Sequence, residues 1–177
     1  VACLVGSEMC IRDSYKLADI PNTCASTIKA VKDLKFNYIT IHISAGLEAL
    51  KAAKKVSGTT KLIGVTILTS LSNKALKQIG FQKDLKKLVL HQAKLAVKAN
   101  LDAIVCSPHE IKTVKKVFNK EIITPGVRFA SDNMNDQKRV MSPKNAFLNG
   151  ATSIVMGRSI TNGNLKKNIQ KLIKELS

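Results

Sequence analysis

The strongest constraint on the fold is an alternation of short β-branched runs with amphipathic stretches. NYITIHIS (37–44) reads as a strand, GLEALKAAKKV (46–56) as a helix, KLIGVTILT (61–69) as a strand and QKDLKKLVLHQAKLAVKAN (82–100) as a helix. LDAIVCS (101–107), EIITPG (121–126) and TSIVMG (152–157) are further strands. Helices are expected near 108–118, 142–149 and 164–176, and over TCASTIKAVKDLK (23–35) ahead of the first of these strands. Strands joined in this way run parallel, because each helix carries the chain back across a face of the sheet. The fold class is therefore α/β, either a doubly wound sheet or a (β/α)8 TIM barrel. The polar residues favour the barrel. Lys16 with Asp19, His42 with Ser44, Thr69 with Ser70, Ser107, the segment TPGVR (124–128) and Gly157 with Arg158 all fall at the C-terminal ends of successive strands. Functional groups from many strand ends converging on one face is the barrel arrangement.

Composition narrows the functional classes. A chain of 177 residues that is 45% hydrophobic can bury one sizeable core, so a single domain is expected. No stretch reaches the roughly 18 uninterrupted apolar residues of a membrane span, and no basic region feeds a long apolar run at the start, so no membrane partner is expected and the cytoplasm is the default. Cys3, Cys10, Cys24 and Cys106 form no CxxC pair and have no histidine at ligand spacing, which leaves neither a zinc site nor a disulfide framework. The net charge of +17 raises the question of nucleic acid. The lysines, however, alternate with apolar positions along helical stretches, and there is no Trp and only two Tyr to stack on bases. A small anionic substrate suits the same positive field.

Two segments carry chemistry in their residue types. In IVMGRSI, Gly157 stands where a strand hands over to a helix, so backbone N–H groups can meet a phosphate and Arg158 adds a bidentate donor. In YKLADIPNT, Lys16 and Asp19 lie three apart; Pro21 starts a helix that Asn22 or Thr23 can cap. Plainer readings stand beside these: a surface ion pair for Lys16 and Asp19, an ordinary turn for Gly157, a helix cap for Thr69 or Ser70, and a packed barrel residue for His42.

Six segments in order, KLADIPNT, VTILTS, VCSPHEI, TPGVR, DQKRVMSP and GRSIT, resemble the bacterial orotidine 5'-monophosphate decarboxylase family over residues 15 to 177. The resemblance implies a (β/α)8 barrel and a homodimer that converts orotidine 5'-monophosphate to UMP with neither metal nor organic cofactor. It assigns Lys16 as the ammonium that stabilises the carbanion and delivers the proton. Asp19 becomes a carboxylate that works, with Thr23, in the partner subunit's site. Arg128, Gln137, Gly157 and Arg158 become phosphate ligands, and Thr69 and Ser70 contact the pyrimidine amide edge. FASDNMND (129–136) resembles the family's lid.

The departures matter as much. Ser14 stands where the family has an aspartate two residues before the lysine, and Asp13 would face the other side of the strand. Phe129 stands where a proline usually follows the arginine. Only five strands follow the motif's own short strand, so a barrel would lack two, and with them the family's second lysine and ribose-binding aspartate. Residues 1 to 14, VACLVGSEMCIRDS, resemble translated sequencing adapter, and the expectation is a non-native leader joined to a partial, functionally impaired barrel over residues 15–177. Two other functions fit the same residues. One is a metal-dependent synthase or decarboxylase of sugar phosphates in the same barrel group; the other is an inactive phosphate-ligand binding module.

Overall fold

Six strands follow one another across a single parallel sheet in the order in which they occur in the chain: β3 (Arg12–Leu17), β4 (Tyr38–His42), β5 (Lys61–Val65), β6 (Ala103–Val105), β7 (Glu121–Pro125) and β8 (Ser153–Val155). A hairpin of β1 (Cys3–Val5) and β2 (Glu8–Cys10) precedes them, with β1 lying near β8. The computed structural model describes the backbone of residues 3–5, 8–10, 12–132 and 140–177, and side chains within 16–132 and 140–177. A doubly wound sheet reverses its strand order at a switch point, whereas this order never reverses. Six sequential parallel strands with helical crossovers are an arc of a TIM barrel, two strands short of the eight that close one.

The central strands β4 to β7 are largely apolar on both faces, as a parallel sheet covered on both sides requires. Because successive residues point to opposite faces, Ile39, Ile41, Leu62, Ile104 and Ile122 join the core beneath the helices. Ile63, Val65, Ala103, Val105 and Ile123 form a second buried cluster on the inner face. Its floor, at the N-terminal strand ends, is polar: the Tyr38 hydroxyl donates to Glu121 at 3.0 Å, and Lys61 pairs with the same carboxylate.

The helices are α1 (Pro21–Ala30), α2 (Leu47–Val56), α3 (Asn73–Gln78), α4 (Leu85–Lys98), α5 (Ile111–Lys115), α6 (Pro143–Leu148), α7 (Arg158–Thr161) and α8 (Leu165–Leu176). Two differences from the sequence reading bear on function. The strand expected over 61–69 ends at Val65, since Thr66 turns its hydroxyl into the carbonyl of Val105 at 2.8 Å and the chain leaves the sheet as a loop. The expected cap of α1 by Asn22 or Thr23 is not formed. Both residues lie inside the helix, Ile20 is the N-cap residue and no side chain caps it. Pro21 at the first helical position has no N–H to satisfy, which reduces the need for a cap.

Gly64 in β5 gives a direct test of this packing. A Cβ there would stand 2.7 Å from Leu101 Cδ1 and 2.9 Å from Ile43 Cδ1, both on buried side chains. Gly64→Ala is expected to cost about 1–3 kcal/mol by overpacking. A urea midpoint equal to that of the unaltered chain would show that the neighbours yield.

Candidate functional site

The C-terminal ends of the strands carry most of the singled-out residues. Lys16 lies level with Thr40 of β4, and Leu17 with Ile41. Leu17 and Ile41 belong to the core beneath the helices, so alternation turns Lys16 and Thr40 to the inner face. His42 follows Thr40 by two and shares that face. Burial first, and then the positive charge of Lys16, hold the His42 imidazole below its ordinary pKa near 6.5. The neutral ring therefore sits within the field of the ammonium, and His42 is a site neighbour that the sequence reading weighed as simple packing.

A pH dependence follows. On acidification the unfolded chain takes up the imidazole proton near the ordinary value, while the folded protein resists it until lower pH. Stability associated with neutral His42 is present above about pH 6.5 and is lost as pH falls through the window toward the folded-state value. His42→Gln is expected to remove that portion of the acid-side loss. Parallel denaturation-midpoint profiles for the two chains between about pH 7.5 and about pH 5 would reject it.

Asp19 stands two residues beyond β3, exposed, with Oδ1 accepting from the Ile20 N–H at 2.7 Å and its carbonyl accepting from Cys24 Sγ at 3.2 Å. Among the described residues no ion pair joins it to Lys16, so the local surface pair is not formed. Thr23 is exposed one turn into α1, and its carbonyl accepts from the Thr27 hydroxyl at 2.9 Å. Thr69 is half-buried and Ser70 exposed in the loop after β5. Neither caps α3; Ser72 does, accepting from the Ala75 N–H at 3.3 Å.

The ends of β7 and β8 form the most developed part of the site. Gly126 closes β7 with φ +77°, a conformation that favours glycine, and this turns the chain so that Val127 bridges to Met141. The Arg128 N–H donates to the Met141 carbonyl at 3.1 Å, and the Arg128 side chain is buried to 9% exposure. Gly157 links β8 to α7, placing Arg158 at the first position of that short helix. Arg128, Gly157 and Arg158 line one cavity of about 180 Å³ with Gly126 and Ser159. A second cavity of about 260 Å³ shares Arg128, Arg158 and Ser159 and extends to Asn162, Asn168 and Lys171. Two guanidinium groups on adjacent strand ends can hold a phosphate by charge-assisted hydrogen bonds. Gln137, and the lid segment from Asn133 onward, lie outside the described residues. The lining by Asn168 and Lys171 was not anticipated; their i,i+3 spacing on the last helix was the available signal.

Among the described residues no group of three or more His, Cys, Asp or Glu side chains gathers as a metal site would, and no helix is long and apolar enough to cross a membrane. Cys24 and Cys106 are buried cysteines outside any disulfide.

The chain matches the orotidine 5'-phosphate decarboxylase / HUMPS family over residues 15–171. It is 45% identical over 167 residues to the orotidine 5'-phosphate decarboxylase of Wolbachia sp. subsp. Brugia malayi, covering 92% of this chain and 74% of that protein. It is also 45% identical to the enzyme of that name from Ehrlichia chaffeensis, over 82% of this chain and 65% of the relative. Among solved structures, orotidine 5'-phosphate decarboxylase from Lactobacillus acidophilus superposes with a TM-score of 0.77 at 32% identity, covering 92% of this chain and 73% of that one.

Proposed function

The chain belongs to the orotidine 5'-phosphate decarboxylase / HUMPS family, and from that premise we propose that, at the full length of its relatives, it decarboxylates orotidine 5'-monophosphate to UMP as a cytoplasmic homodimer. The observation that carries this reading is the pair Arg128 and Arg158 lining one cavity at the strand ends, with Lys16 at the same end of the sheet. Breaking the bond between the ring carbon and the carboxylate releases carbon dioxide and leaves the electron pair on the ring carbon. The Lys16 ammonium stabilises that charge and then gives it a proton, becoming a neutral amine. The partner subunit's Asp19 keeps Lys16 charged before the reaction, since a nearby carboxylate favours the ammonium. Thr23 acts beside it, Thr69 and Ser70 hold the pyrimidine amide edge, and Gln137 joins the two arginines and Gly157 at the phosphate. Binding energy from that remote group assists the chemistry at the ring.

The test is turnover of orotidine 5'-monophosphate by the chain extended to the length of its relatives, followed by loss of substrate absorbance with and without a chelator. Chelator-insensitive turnover is expected. Metal-dependent turnover of a sugar phosphate instead would favour the metal-dependent relatives, and UMP binding without turnover would favour a binding module.

A further inference from the structure

Arg128 and Arg158 come from different strand ends, and both border one helix, α8. Lys171 of α8 lines the 260 Å³ cavity with both arginines, its Nζ 2.8 Å from the Ser131 hydroxyl and 4.2 Å from the centre of the Phe129 ring. One turn earlier, the Asn168 amide donates to the carbonyls of Ile160 at 3.0 Å and Asn162 at 2.7 Å, at the end of α7. The same helix thus grips the residues that follow Arg128 and those that follow Arg158. A positive charge over an aromatic face is attracted to it and holds the ring in place.

Charge points the same way. The cavity also contains the carboxylate of Asp132, which offsets one cation. Two arginines would then leave a single net positive charge, and Lys171 brings the excess to two, matching a phosphate monoester that carries about −1.5 to −2 at pH 7.

We propose that Lys171 is a third cation of the phosphate subsite and that, with Asn168, it makes α8 a brace fixing the two arginine-bearing loops relative to each other. This rests on the phosphate reading of Arg128 and Arg158 given above. Lys171 is a positioning residue whose charge also adds to the field felt by the ligand.

The experiment is a calorimetric titration of UMP, with inorganic phosphate as competitor, into the unaltered chain and into Lys171→Met, Lys171→Arg, Asn168→Ala and Arg158→Ala. Lys171→Met is expected to weaken UMP about tenfold, with a loss that shrinks as salt is added. Lys171→Arg should stay within about twofold of the unaltered chain, because arginine keeps both the charge and the stacking on Phe129. Asn168→Ala should weaken UMP with no change in salt dependence. Unchanged UMP affinity in Lys171→Met, with binding lost in Arg158→Ala, would overturn the inference and leave the phosphate reading standing. Absence of saturable binding by the unaltered chain, or indifference to both substitutions, would overturn the two together. A loss that Lys171→Arg does not restore would assign Lys171 to packing alone and overturn its charge role.

Discussion

Mixing two inactive variants is expected to restore activity. At the length of its relatives, a Lys16→Ala homodimer should lose about 10⁴-fold or more, because the proton donor and the charge that stabilises the carbanion disappear together. An Asp19→Ala homodimer should be nearly as poor, since each Lys16 then lacks its charge partner. In a mixed dimer one site carries both substitutions and the other neither, provided that Asp19 serves the partner's Lys16. With random subunit exchange half the dimers are mixed and half their sites are intact, so activity should return to about a quarter of the unaltered level. The absence of an ion pair between Lys16 and Asp19 within the described residues of one chain motivates the test. A mixture that stays inactive despite demonstrated exchange would return Asp19 to its own chain or to the surface.

Arg158→Ala should weaken UMP by about 2 to 4 kcal/mol, roughly 30-fold to 1,000-fold, as loss of a charge-assisted bidentate contact commonly does. The side chain borders both cavities, and the neighbouring Ser159 offers only a neutral hydroxyl in its place. Uridine, which carries no phosphate, should bind the variant and the unaltered chain alike. An unchanged UMP titration would reject the phosphate assignment.

Much of this architecture could be read from periodicity. The expected strand over 37–44 corresponds to β4, a short β-branched run, and the helices over 46–56 and 82–100 correspond to α2 and α4, because long stretches that bury one face announce their period. The short element α3 was not anticipated, and α7 was expected only from the handover at Gly157. Six and four residues hold too few repeats for a period, and what fixes them is local: Ser72 caps α3, and Gly157 turns the chain into α7. The expected strand over 61–69 ran past Val65 for the same reason in reverse, since Thr66 and Ile67 continue the apolar, β-branched pattern after the chain has left the sheet.

The candidate site divides along the same line. Lys16, Asp19, Arg128, Gly157 and Arg158 are legible because each stands in a distinctive segment at the end of a strand, and because parallel strands joined by helices must bring those ends to one face. That is what the sequence determines by itself: the fold class and the end of the sheet at which the candidate residues stand. Tertiary structure alone decides which of them meet. That Lys16 and His42 share an inner face depends on the register between β3 and β4, and that α8 reaches both arginine-bearing loops depends on how the last helix lies across β7 and β8. Periodicity says which side of a helix or strand is apolar, but the partner of each polar side chain is fixed only when separate elements pack, and no local pattern encodes that distance.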